Sequence, residues 1–287
     1  ICVDGDTLLD RHAVTRLVQR FADPSVGAVS GSVKLTNRRG FLGRWQSLEY
    51  AYGLHTERAA QDLIGAIWCV PGAIGAYRLS ALLRAGGWKH DTLAEDADLA
   101  IRVQLNGWKA KFEPGALAFT EAPSTLPAWW KQRTRWHMGN CQVVWKHRNR
   151  FLGRPRRFGL LLYPYAFVNT LIMPLVRPIV EIFALSQVIY GPTHIIGVAW
   201  ITVFALSFVA QGIALRFAGE PLRTLVHAPF QHFAYQWLYF ALSVSVSRKI
   251  LFGRLPGWRK LDRSGELIQH LPGGARPTIA TGQKAAA

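Results

Sequence analysis

The chain has 287 residues, half of them hydrophobic and only 18% charged, with a formal net charge of +17. Three scattered cysteines exclude a disulfide framework, and the nine histidines show no metal-binding spacing. Nucleic-acid binding does not fit the charge distribution. Of the 17 acids, 13 lie at or before Glu121, and the basic clusters beyond it flank long apolar runs, as in membrane proteins.

Ile1-Cys2-Val3 reads as a short buried strand, with the chain opening in mid-strand and without Met, so a C-terminal part of a longer protein is expected. Asp4-Gly5-Asp6-Thr7 follows. Two carboxylates one residue apart at a strand end can share a divalent cation, and their hard oxygens suit Mg²⁺ or Mn²⁺. The same residues are also common in plain turns.

Apolar residues at Leu9, Val14, Leu17, Val18 and Phe21 predict a helix over residues 8–22, ended by Asp23-Pro24. Residues 26–35 read as a strand. Phe41, Trp45, Leu48 and Tyr52 mark an amphipathic helix over 41–63 that suits either a core or a membrane surface. Pro71-Gly72-Ala73-Ile74-Gly75-Ala76-Tyr77-Arg78 is small enough for close approach to a ligand or for tight packing. A short helix is predicted over 79–85.

Glu95, Asp96 and Asp98 precede a helix predicted over 99–105. Capping and the helix dipole account for acids there without any function, although one of them could serve as a base. Residues 109–119 read as a strand pair or bend around Pro114-Gly115. A helix then carries Lys131-Gln132-Arg133-Thr134-Arg135-Trp136, where Gln132, Arg135 and Trp136 share one face. That face offers an amide for hydroxyls, a guanidinium for phosphate and a ring for stacking. An interfacial helix with its indole at lipid headgroups has the same composition.

Nine Lys/Arg and no acid occupy residues 131–157. Apolar runs follow at 158–190, 195–215 and 229–247; the first is interrupted by Arg177-Pro178, and the last is less apolar. Basic bands at 146–157 and 248–263 both favour the cytosol and so require an even number of spans. Three apolar runs are at odds with this; three spans are expected, with a fourth if the first run splits near Pro174–Pro178. Residues 271–287 read as a disordered tail.

Asp4-x-Asp6, Pro71 to Arg78, Leu93-Ala94-Glu95-Asp96-Ala97-Asp98-Leu99, Thr120-Glu121-Ala122-Pro123 and Lys131-Gln132-Arg133-x-Arg135-Trp136-x-x-Gly139, followed by apolar runs, together resemble the membrane-bound family-2 glycosyltransferases. The likeness is strongest to poly-β-1,6-N-acetylglucosamine synthases and to transferases fused to polysaccharide deacetylases. It covers roughly residues 1–265.

The resemblance implies an α/β fold: the C-terminal part of a GT-A (Rossmann-like) domain, followed by α-helical transmembrane segments. The implied layout is a partial catalytic domain over 1–125, an interfacial helix and basic band over 126–157, membrane helices over 158–247, and a basic segment with tail over 248–287. The resemblance also implies roles. Asp4 and Asp6 would hold Mg²⁺ or Mn²⁺ and the donor diphosphate, and Asp96 would be the general base. Gly72, Glu95, Gln132, Arg133, Arg135 and Trp136 would contact substrate, with Trp136 as the floor for the acceptor sugar.

The expected reaction is processive, inverting β-transfer from a UDP-sugar, UDP-N-acetylglucosamine above all, onto a polysaccharide. UDP-glucose use, single addition to a lipid, and a degenerate membrane scaffold are the alternatives. The implied setting is the inner membrane, multi-pass, with the catalytic domain cytosolic and no nucleic acid involved. Ala94 stands where the family usually has Thr. The family's N-terminal nucleotide-binding half is expected to be missing, leaving this chain inactive alone.

Overall fold

The computed structural model describes residues 1–190 and 195–253; the expected basic segment and tail beyond Gly253 lie outside the described residues. Four strands, β1 (Leu8–Leu9), β2 (Val26–Leu35), β3 (Gly75–Tyr77) and β4 (Lys109–Thr120), form one mixed sheet in the order β1-β4-β2-β3. Only β2 and β4 pair in parallel; β1–β4 and β2–β3 are antiparallel. One of the two inner strands, β2, is buried at nine of its ten positions and so is covered on both faces, which is why it reads as a near-continuous run of apolar and small residues.

Three expectations change here. Ile1-Cys2-Val3 is not a buried parallel strand. Cys2 makes one antiparallel bridge to Gly75, and Ile1 and Val3 remain 56% and 40% exposed. Leu8 and Leu9 leave the expected helix to pair with Phe119 and Ala118. The helix α1 (Ala13–Gln19) begins later, where the Asp10 carboxylate accepts from the His12 amide at 3.0 Å and the Ala13 amide bonds Asp10 O. Finally, residues 109–120 form one strand, not a pair. Gly31 aligns with Glu113 and Ser32 with Leu117, so Pro114 and Gly115 are absorbed in a bulge, a position where strands tolerate proline.

The amphipathic stretch is one continuous helical run: α2 (Gly40–Glu49), a π-helical segment Tyr50–Thr56, and α3 (Glu57–Leu63). Its buried face packs as core. Leu48 and Ala51 cluster with Leu215, Ala218 and Ala228 from the long apolar helices. Arg38 pairs with Glu220, and Arg44 Nη1 lies 2.9 Å from His227 Nε2, fastening the same junction.

Helices α4 (Leu79–Arg84) and α5 (Glu95–Leu105) flank the sheet, and α6 (Leu126–Lys146) crosses toward the apolar helices. The acids expected before α5 form its first turn. At the end of β4, Asn37 makes a reciprocal pair with Ala122, Nδ2 to O at 2.6 Å and N to Oδ1 at 2.8 Å. Gln46 adds a bond to Pro123 O at 2.9 Å. These amides hold the Glu121-Ala122-Pro123 turn that launches α6.

Residues 157–190 form a single 34-residue helix containing α7 (Tyr163–Phe167) and α8 (Met173–Tyr190), so the run does not split at Pro174–Pro178. Among the described residues, this helix and α9 (Ile195–Phe217) are long and apolar enough to cross a membrane. The third expected span, α10 (Ala228–Leu251), is long enough but less apolar. Its polar residues recur every three or four positions on one face and meet partners. His232 lies 3.0 Å from Glu181, Tyr239 donates to Glu49 at 2.8 Å, and Ser243 lies 3.1 Å from His137.

Candidate active site

The Cys2–Gly75 bridge determines where the Asp4–Asp6 turn sits. Its two backbone bonds, 2.8 and 3.0 Å, lay the chain start against the loop before β3, and the Thr7 amide closes the turn onto Asp4 O at 3.0 Å. Asp4 thereby meets Gly72: a Cβ on that glycine would stand 2.9 Å from Asp4 Oδ1. The small residue at 72 therefore makes room for a carboxylate, beyond merely permitting a turn.

The loop running to β3 is pinned by side-chain amides. Gln104 exchanges two bonds with the Ile67 backbone, 3.0 and 2.7 Å, and Gln61 Oε1 accepts from the Trp68 amide at 2.9 Å. The loop thus delivers Cys69 to the first turn of α5, where its thiol donates to Asp96 Oδ2 at 3.3 Å. Burial, reinforced by the Asp96 charge, pushes the Cys69 thiol well above its ordinary pKa, so it stays protonated and can donate. Asp96 Oδ1 accepts from the Ala97 amide at 2.8 Å.

Glu95 is also held above the usual carboxylate range, chiefly by burial. The charges of Asp96 and Asp4 push the same way, while a bond to its own backbone and the charge of Arg135 oppose them. This mutual influence brings Asp4, Glu95, Asp96 and Arg135 into one electrostatic neighbourhood from three separate segments. Asp6 shares the turn with Asp4. Among the described residues no group of three or more His, Cys, Asp or Glu gathers to hold a metal ion. Two carboxylates on one turn match the one or two that Mg²⁺ takes when substrate phosphates and water complete its shell.

Helix α6 is brought against this cluster by Gly139. A Cβ there would come 2.7 Å from Ala94 N and 2.9 Å from Leu93 C, so only glycine allows the crossing. Asn140 Oδ1 accepts from Trp68 Nε1 at 2.7 Å, and Gln142 Oε1 from the Leu93 amide at 2.8 Å, fixing the same contact. Gly139→Ala is expected to lower stability by about 1–3 kcal/mol, the usual range for overpacking. Thermal melting would check this, and an unchanged midpoint would mean that the two helices are not so closely apposed.

The six-residue motif separates into two groups. The charge of Arg135 acts on Glu95. Arg133, expected to bind substrate, is instead 1% exposed. Its Nη2 pairs with Glu49 Oε2 at 2.6 Å, its Nη1 donates to Gln132 Oε1 at 3.2 Å, and its guanidinium lies 4.2 Å from the centre of the Trp136 ring. Gln132 is buried with it, while Trp136 is half-buried against the sheet core.

Capping and the helix dipole, which suffice for acids at a helix start, do not describe Asp98. It is fully buried, with Oδ2 accepting from Arg102 at 2.7 Å and Oδ1 lying 2.8 Å from His147 and 2.9 Å from Lys146. It therefore ties α5 to the end of α6. Sequence reasoning also passed over Cys69 and Glu49. Glu49 lies four residues after Trp45 and three before Tyr52, a carboxylate on an apolar stripe, and that was the available signal.

Over 145 residues the chain is 34% identical to the poly-β-1,6-N-acetyl-D-glucosamine synthase of Staphylococcus aureus, covering 50% of this chain and 35% of that protein. The Staphylococcus epidermidis synthase of the same name matches with equal identity and coverage. The matched region is thus about a third of the length of these curated relatives. A mannosyltransferase from Pyrobaculum calidifontis, solved in complex with GDP-Man and Mn²⁺, superposes with a TM-score of 0.56 at 21% identity, covering 88% of this chain and 62% of that one. That likeness shows a GT-A-like glycosyltransferase fold. The model of the glycosyl transferase family group 2 matches residues 1–244, and the chain belongs to that family.

Proposed function

We propose that the chain carries the reaction centre of a membrane polysaccharide synthase that transfers N-acetylglucosamine from its UDP-sugar, processively and with inversion, to a growing β-linked polymer. The observation that carries this reading is the packing of Asp4 against Gly72 and of α6, at Gly139, against Ala94 at the start of α5, where Cys69 donates to Asp96. The names of the staphylococcal relatives support the polymer and sugar, and the metal in the archaeal structure supports a divalent ion.

In this reading Asp4 and Asp6 hold Mg²⁺ or Mn²⁺, which when bound offsets charge on the diphosphate. Arg135 adds a second positive charge at the leaving group; a unit pair at 4 Å is worth about 4 kcal/mol at an effective dielectric of 20. Asp96 takes the proton from the acceptor hydroxyl, and Cys69 Sγ–H and the Ala97 amide hold its two oxygens in place. Gln132 and Trp136 support the acceptor sugar.

The division into catalytic domain (1–125), interfacial helix (126–157) and membrane helices (158–247) belongs to the same proposal. It is supported by the most apolar windows of the helices Arg157–Tyr190 and Ile195–Phe217, only 17% and 11% of which are buried; a soluble core helix would be mostly covered. The catalytic domain then faces the cytosol beside the basic band, at the inner membrane.

Supplying radiolabelled UDP-N-acetylglucosamine to membranes containing the intact protein tests the reading. Label in polymer is expected. Label in lipid would make the protein a single-addition transferase, and none in either would leave it a scaffold.

A further inference from the structure

We propose that Glu49 is a positioning residue for acceptor binding, acting through Arg133 on Trp136 and Gln132. The inference rests on the reading of Trp136 as acceptor support and adds what holds that indole in place. The carboxylate of Glu49, at the end of α2, has both oxygens engaged. Oε2 takes the Arg133 guanidinium at 2.6 Å, and Oε1 accepts from Tyr239 on α10 at 2.8 Å. The same guanidinium touches two residues of the α6 motif, donating to Gln132 at 3.2 Å and stacking 4.2 Å from the centre of the Trp136 ring. Trp129, fully buried, closes the cage, with Tyr239 edge-on at 5.8 Å.

The physical consequence follows from arginine chemistry. A buried guanidinium cannot shed its charge by losing a proton, so it needs its counter-charge or a route to water. Arg133 is 1% exposed, and Glu49 is the only carboxylate paired with it among the described residues. Removing that carboxylate obliges Arg133 to move. The face of Trp136 it covers and the amide of Gln132 it orients then lose their support together. Tyr239 comes from the apolar bundle, so the indole is held from the membrane side as well as from α2. A plain structural tie between α2 and α6 would not need the cation to stack on the ring of the acceptor motif.

The test uses the intact protein in membrane vesicles. Acceptor KM, turnover per folded molecule, UDP binding and melting temperature are measured for Glu49→Gln, Glu49→Asp, Tyr239→Phe and Trp136→Ala. Glu49→Gln is expected to reduce acceptor-dependent efficiency roughly 10- to 100-fold, the scale of a displaced binding group, with UDP binding unchanged. Glu49→Asp should recover most of that loss.

A lowered melting temperature with parental acceptor kinetics per folded molecule would overturn the proposal. If Glu49→Gln does not accumulate, Tyr239→Phe decides, because it frees one oxygen of the carboxylate while keeping the charge. A severalfold rise in acceptor KM supports the proposal and parental kinetics refute it. Should Trp136→Ala itself leave acceptor use intact, the reading of Trp136 fails instead, and the two failures are told apart.

Discussion

Asp96→Asn is expected to lower sugar transfer by roughly 10²- to 10⁴-fold while leaving UDP-sugar binding nearly unchanged. The substitution keeps the shape of the side chain and can retain an acceptor oxygen for the Ala97 amide, now 2.8 Å from Asp96 Oδ1. What it removes is basicity. An acceptor hydroxyl is a poor nucleophile until its proton is taken, so the loss should appear in turnover. Steady-state transfer and UDP binding, measured side by side on the same preparation, check both halves. Polymerisation at the parental rate would place the base elsewhere.

The second large effect is on stability. Asp98→Asn should destabilise the protein by about 3–5 kcal/mol, the usual cost of breaking a buried ion pair by removing one partner. Burial alone would disfavour the charged carboxylate. The hydrogen bonds from His147, Lys146 and Arg102, with the Arg102 charge, outweigh it and hold Asp98 well below the usual carboxylate range. Because the folded pKa is depressed, this stabilisation is complete above the unfolded value of about 4 and drains away as pH falls through the folded one. Melting curves of parent and variant should therefore differ most near neutrality and begin to converge only as pH falls below about 4. Turnover per folded molecule should suffer far less than in Asp96→Asn. A variant as stable as the parent at pH 7 would contradict the role given to Asp98.

These two neighbours show what a sequence does and does not reveal. Local pattern sufficed for β2, α4 and α6, and for an acid-bearing start to α5, because each depends on residues a few positions apart. It failed where partners are distant. The hub at Asp98 is built from His147, 49 positions away, and Arg133 meets Glu49 across 84 positions. The resemblance made Arg133 a substrate contact, and a guanidinium in a basic band is usually solvated; its burial depends on Glu49 and Tyr239, which no local window contains. The bulge in β4 was hidden for a related reason. Pro114-Gly115 signals a turn locally, and only pairing with β2 on both sides shows that the strand continues. By contrast, the glycines of the motifs were readable as small but not as purposeful. Gly72 accommodates Asp4, and Gly139 accommodates the Ala94 backbone, each a contact between separate segments.

The central claim is that the Asp4–Asp6 turn and the start of α5 form one nucleotide-sugar site with divided labour, binding by the first and proton transfer by the second. The most direct measurement is calorimetric titration of UDP into the intact, detergent-solubilised protein, with Mn²⁺ and with chelator, for the parent, Asp6→Ala and Asp96→Asn. The account predicts binding that requires the ion, is lost in Asp6→Ala and survives in Asp96→Asn. UDP binding that persists in Asp6→Ala with the same dependence on Mn²⁺ would contradict it.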